Sequence, residues 1–214
     1  MPAKDNKKPE FELFPWSSQF ETGIDQIDEQ HRKLVAILNR LAWHMSAEND
    51  DLQANEVLDE LLDYTHYHFR SEETVWHRYF ADTSLEENHH KAHEHFFEQV
   101  RLYQARREQG DEQTLAEMFD FLTRWLAFHI LESDRRMALM TFAMETGHSV
   151  DEAIEEADRT LSGTSSVMVK ALLEIYGKLS NSTVQLMKER AVRRQLEEEV
   201  RQLRASQGKG GADS

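Results

Sequence analysis

Residues 24–109 contain neither glycine nor proline, and all three prolines (Pro2, Pro9, Pro15) fall within the first fifteen residues. A β-sandwich or a doubly wound fold needs turn residues roughly every 8–12 positions, whereas long helices need none. Apolar residues in this stretch recur at helical spacing. Leu34, Ile37, Leu38 and Leu41 mark one segment, from about Asp25 after the Thr22-Gly23 turn to Ala47. Val57, Leu58, Leu61, Leu62, Thr65 and Phe69 mark a second, with N-caps available at Asn49–Asp51. Ser84-Leu-Glu-Glu87 reads as a capping box, a hydroxyl followed three residues on by a carboxylate. It opens a third helix through His93, Phe96, Phe97 and Val100. Asp111 caps a fourth, through Leu115, Phe119, Leu122, Trp125, Leu126 and His129 to about Glu145. Short connections make neighbours antiparallel, so the expected fold is all-α, an up-down four-helix bundle.

Composition narrows the function. Forty acidic residues against 25 basic ones give a net charge of −15, which repels phosphate backbones, so no nucleic-acid partner is expected. The chain has no cysteine, which excludes disulfides, thiolate zinc sites, iron–sulfur clusters and thiol nucleophiles. No apolar run is long enough to span a membrane, and the start MPAKDNKKPEFELF lacks the apolar core of a signal peptide. A soluble, cytoplasmic protein is expected. Ten of the eleven histidines precede residue 130, and of the aromatic residues only Tyr176 follows Phe142. The chain thus divides into an aromatic, histidine-rich region and an aromatic-poor one.

Most single histidines on helices are surface residues, and His44, His66, His77, His90, His95 and His148 are read that way. The others form a set. His68 and Glu72 stand at i, i+4 on the inner stripe of the second helix, and His89 and His93 do so on the third. His31 is in phase with Leu34 and Leu38; His129 shares the stripe of Leu122, Trp125 and Leu126. Buried imidazoles must be hydrogen-bonded, protonated at a desolvation cost, or given a metal. Five imidazoles and two carboxylates suit a pair of borderline cations. A ferritin-like di-iron site would use two Glu-x-x-His strings, and Glu86–His89 and Glu145–His148 match the pattern. The inward residues are mostly nitrogen donors, which weighs against that carboxylate-rich site.

Trp16…Thr22-Gly-Ile-Asp-Gln-Ile-Asp-Glu-Gln-His31, His68-Phe-Arg-Ser-Glu-Glu73, His89-His-Lys-Ala-His93 and Trp125-Leu-Ala-Phe-His-Ile-Leu-Glu-Ser-Asp134 together resemble a bacterial hemerythrin domain over roughly residues 14–140. The resemblance implies one iron on His89, His93 and His129 and another on His31 and His68. Glu72 and Asp134 would bridge them, with an oxo or hydroxo group between the irons. It implies O2 as the ligand of the diferrous form. Phe69, Trp125, Leu126 and Ile130 flank these positions and are candidates for an apolar pocket wall or for plain core packing. The His89-His90 doublet allows two registers; His89 is preferred because it stands four residues before His93, while His90 would pair with Glu94. His129 and Asp134 are five apart, which is not one face of a regular helix. Their pairing comes from the resemblance, and a π-bulge would bring Asp134 round. No general acid, nucleophile or substrate cleft is visible, so the chain is not read as an enzyme.

Beyond the bundle (residues 14–146, after an arm at 1–13), Gly147 is a helix C-cap and Ser149-Val-Asp-Glu152 a capping box for a short helix through Leu161. Gly163-Thr-Ser forms a turn, and one helix is expected from Ser166 to about Ala205, within an extension spanning 147–205. Its heptad seam has Leu172, Leu179, Leu186, Arg193 and Val200 at a, with Met168, Ile175, Ser182, Glu189, Leu196 and Leu203 at d. A parallel, partly coiled-coil homodimer through residues 166–205 is the expectation, with packing back on the bundle as the alternative. Residues 206–214 read as a flexible tail. The stretches 171–180 and 193–200 resemble linkers that join hemerythrin domains to diguanylate cyclases. No output motif follows in the chain. The two competing functions are an O2 or redox sensor that relays through this helix to an output domain, and an O2 carrier or store; an iron-dependent oxidase ranks below both.

Overall fold

The structure is a computed structural model that describes residues 14–46, 51–109, 114–162 and 164–209. The expected arm at 1–13, the caps at Asn49 and Asp111 and the turn residue Gly163 lie outside them. Four long segments form the bundle: α1 (Asp25–Ser46), α2 (Asp51–Phe80), α3 (Ser84–Glu108) and a rod made of α4 (Thr114–Phe128), a π-helical turn (His129–Asp134) and α5 (Arg135–Glu145). Then come α6 (Val150–Leu161), packed on α5, and α7 (Thr164–Lys209), packed first on α4 and α1. No strand occurs among the described residues. No helix among them is long and apolar enough to cross a membrane.

Local chemistry fixes the ends. Asp28 takes the Thr22 N–H at 2.7 Å, the Thr22 hydroxyl at 2.8 Å and the Gly23 N–H at 3.0 Å, which closes the turn into α1. The third helix departs from expectation: its N-cap is Thr83, whose hydroxyl accepts the Glu86 N–H, and not Ser84. Asp82 at φ 60° turns the chain one residue earlier than the motif implied, and the Glu86 carboxylate accepts the Asp82 N–H. Thr146 closes α5 and Gly147 follows at φ 96°. The Ser149–Glu152 capping box forms as expected.

Burial follows the predicted stripes and separates into two apolar clusters. The larger holds Leu34, Leu38, Leu41, Leu58, Leu61, Phe96, Phe119 and Leu122. The smaller holds Trp76, Phe80, Met137, Met140, Ala153 and Ala157 where α2, α5 and α6 meet. Along α2, Phe69 belongs to the first cluster and Trp76 to the second, so the inward residues His68 and Glu72 fall at the boundary between them.

The first half of α7 is not free to pair with another chain along its whole circumference. Val169, Tyr176 and Ser180 are buried against the bundle. The Tyr176 ring stacks on Phe14 at 4.0 Å, and the Ser180 hydroxyl donates to Asp120 of α4 at 2.7 Å. The alternative of packing back therefore holds for this half. The helix itself continues to Lys209, into the segment expected as a tail.

Candidate metal centre

All seven residues singled out in the sequence converge. His31, His68, Glu72 and Asp134 are fully buried, His93 and His129 are 2% exposed and His89 is 8% exposed. Each histidine presents Nε2. Glu72 Oε1 lies 3.4 Å from His31 and 3.1 Å from His68, while its Oε2 lies 3.6, 3.4 and 3.5 Å from His89, His93 and His129. Asp134 splits the same way: Oδ2 is 3.2 Å from His31, and Oδ1 is 3.0 Å from His129 and 3.8 Å from His89. The donor atoms thus sort into two groups, Glu72-His89-His93-His129 and His31-His68-Glu72-Asp134, each with its atoms within 4.8 Å of one another.

The π turn makes this possible. In a regular α-helix, residues five apart diverge by about 140°. The π turn takes in one extra residue and brings His129 and Asp134 to 3.0 Å. His90 is half exposed and bonds Glu73, so the third helix turns His89 inward and His90 out. The Glu-x-x-His strings do not enter the centre. Glu86 bonds His77, Glu145 accepts from Tyr79, and His148 lies against Thr146 and the Ala143 carbonyl.

Two positioning side chains were not singled out from the sequence. His68 Nδ1 donates to Gln30 Oε1 at 3.0 Å, and the Gln30 amide nitrogen donates onward to Ser71 at 3.1 Å. His93 Nδ1 donates to Glu73 Oε1 at 2.9 Å. Fixing the proton on Nδ1 leaves the Nε2 lone pair for a cation. The available signal was adjacency, since Gln30 precedes His31 and Glu73 follows Glu72. Trp76, one turn beyond Glu72, also stands edge-on to His89 at 6.3 Å.

Of the four wall candidates, Phe69 stacks on His93 at 3.7 Å and Trp125 on His129 at 4.3 Å. Leu126 and Ile130 are buried in the larger cluster.

Electrostatics favour a cation. Burial drives the His129 imidazolium down, to about 4. Burial acts the same way on His31 and His93, but the carboxylates outweigh it and hold both rings at about 9. Glu72 sits well below the ordinary carboxylate range, because the imidazoles overcome its burial. Two buried carboxylates require positive charge, and without a metal only protons on the imidazoles supply it. The fit to a metal is better than to protons. His31 Nε2, His68 Nε2, His89 Nε2, Glu72 Oε1 and both Asp134 oxygens are buried without a hydrogen bond of acceptable geometry. Buried polar atoms rarely go unpaired, and lone pairs aimed at common points are what a coordination shell requires.

The hemerythrin HHE cation-binding domain model matches residues 22–140. The chain belongs to the hemerythrin family. A bacteriohemerythrin of Clostridium acetobutylicum is 33% identical over 129 residues, 58% of this chain and 97% of the relative. One from Pseudomonas aeruginosa is 33% identical over 142 residues, 66% of this chain and 86% of its own length. A hemerythrin-like protein of Naegleria gruberi is 32% identical over 124 residues, 58% and 89% respectively. No solved structure matches the chain. The hemerythrin family match covers most of the bundle and every residue of the centre. It ends before 171–200, so the resemblance of that stretch to cyclase linkers finds no counterpart in it. Membership carries the general reading of the hemerythrin bundle as a non-haem iron, O2-binding module.

Proposed function

We propose that this hemerythrin domain holds two irons and relays their ligand or oxidation state through its C-terminal helix. His89, His93 and His129 would hold one iron, and His31 and His68 the other. Glu72 and Asp134, with an oxo or hydroxo group, would bridge them. The division of each carboxylate's two oxygens between the two imidazole groups carries this assignment. When bound, the iron pair supplies reversible O2 binding with two electrons to share. The chain's own residues prepare for that. Gln30 and Glu73 hold the proton of His68 and His93 on Nδ1. Phe69 and Trp125 cover the imidazole faces and exclude water, with Leu126 and Ile130 packed behind. The role is binding rather than turnover. Metal analysis should return two irons per chain, with distinct absorption spectra for diferrous, O2-exposed and diferric protein. One metal per chain, or mainly zinc, rejects the di-iron assignment.

The relay rests on one rod. It carries His129 and Asp134 on its π turn, and its outer face, at Asp120, holds α7 through Ser180. A strain at the irons therefore reaches α7 through covalent helix. Amide exchange along residues 169–183 should differ between diferrous and diferric protein. The carrier or storage reading draws on the Clostridium relative, nearly all of whose length the bundle matches. Identical exchange in the two states establishes that reading instead. A separate output domain, such as a diguanylate cyclase, belongs to the relay proposal alone.

A further inference from the structure

The second half of α7 presents a face that the bundle does not use. Val169, Tyr176 and Ser180 are buried against the bundle, whereas Ile175, Leu186, Leu196, Val200 and Leu203 are 45–62% exposed. At about 100° per residue the exposed set lies roughly 150° round the helix from the buried set. The helix therefore has two working faces, and the outer one runs well past the last contact with the bundle. Arg193, Leu196, Glu197, Val200, Arg201 and Arg204 line a shallow groove on it.

The order of residues on that face is what identifies its occupant. Leu186, Glu189, Arg193 and Leu196 are placed symmetrically about residue 191: each leucine lies five residues from it, and each charge two. Turned end for end, the face meets itself with leucine opposite leucine and Glu189 opposite Arg193. The same register sets Ser182 opposite Val200. A parallel pairing instead stacks Glu189 on Glu189 and Arg193 on Arg193 in adjacent layers, where like charges repel. We infer that α7 is an antiparallel homodimerisation surface, with a second copy of this chain seated along residues 182–200 about a two-fold axis at residue 191. Arg193, which lies 3.6 Å from Glu197 of its own helix, gains Glu189 of the second copy as a further partner. The pairing is isologous, so it closes at two chains. This replaces the parallel arrangement expected from the heptads, and it does not depend on what the irons bind.

The 214-residue chain has no cysteine, so single-cysteine variants carry a spin label at one place only. V192C should give a short inter-label distance. Q202C should give one of roughly 33 Å along the axis, since each label lies eleven residues from the two-fold at 1.5 Å per residue. Short distances at both positions mean a parallel pair, and no distance at either, with a monomer in sedimentation at high chain concentration, means no pair; either overturns the inference. E189R should weaken the dimer about tenfold or more by facing Arg193 with arginine, and E189R with R193E should restore it. Because these positions are exposed, the fold tolerates the changes. Equal dimer affinity in E189R and the unsubstituted chain also overturns it.

Discussion

Glu72 faces all five inward imidazoles within 3.1–3.6 Å, more than any other side chain of the centre. Glu72→Ala should therefore drop iron from two per chain to near zero, read by metal analysis, with helicity retained. His90→Ala should leave both irons, because His90 points outward to Glu73. Glu73→Leu and Gln30→Leu test the orienting hydrogen bonds, and each should weaken iron binding by about 10–100-fold in a chelator competition. The five histidines and Glu72 were legible in the sequence because each shares its phase with the leucines and phenylalanines of an inner stripe, whereas Asp134, off that phase, came only from the family resemblance. Gln30 and Glu73 were not legible, because each lies one position off its stripe, where solvent-facing residues are the usual occupants.

The helices were legible where periodicity ran for several turns, and less so at their ends. The cap of α3 slipped by one residue because Thr83 and Ser84 both offer a hydroxyl, and only the backbone reversal at Asp82 chooses between them. Gly147 is a sharper case. At φ 96°, with no atom within 4 Å of where a methyl group would stand, Gly147→Ala meets no clash, so its cost is purely conformational. It should lower stability by about 1–2 kcal/mol, read in denaturant melts. Docking of α7 can be followed at Tyr176, whose phenol burial pushes up to about 12. Because the folded value exceeds the unfolded value of about 10, the contribution is complete below pH 10 and is lost as pH rises toward 12. Phenolate absorbance should show one of the five tyrosines ionising last, and Tyr176→Phe should remove that step.

For the whole molecule, the metal centre and the fold are one thermodynamic system. The centre lies between two apolar clusters, and without metal it keeps two carboxylates in need of charge. Chelated protein should melt at a lower temperature and recover on adding Fe(II). Stabilisation should be about 4 kcal/mol when free metal exceeds Kd a thousandfold. The bundle was legible from glycine and proline placement, whereas the course of α7 was not. Its heptads describe one seam, and its inner face meets partners such as Phe14, Pro15 and Asp120, which lie far away in sequence. A chain cut after Gly147 would therefore uncover Phe14 and the face of α4. Cutting after residue 183 removes nearly all of the outer seam while Val169, Tyr176 and Ser180 stay docked, and is the cleaner test of what that seam does.

The π turn also bears on how such a rod can change in length. One surplus residue is stored between His129 and Asp134, while the helices on either side keep their buried faces, Leu122 and Leu126 before it and Met137 and Met140 after. Deleting Glu132 would release that surplus and let the rod relax to an uninterrupted α-helix. His129 and Asp134 would then stand four apart on one face, as His68 and Glu72 do, so circular dichroism should show an intact bundle and metal analysis should still find metal in it. One residue more or fewer at this turn leaves both flanking helices with their buried faces, so the π turn marks the place where the rod tolerates a change of length.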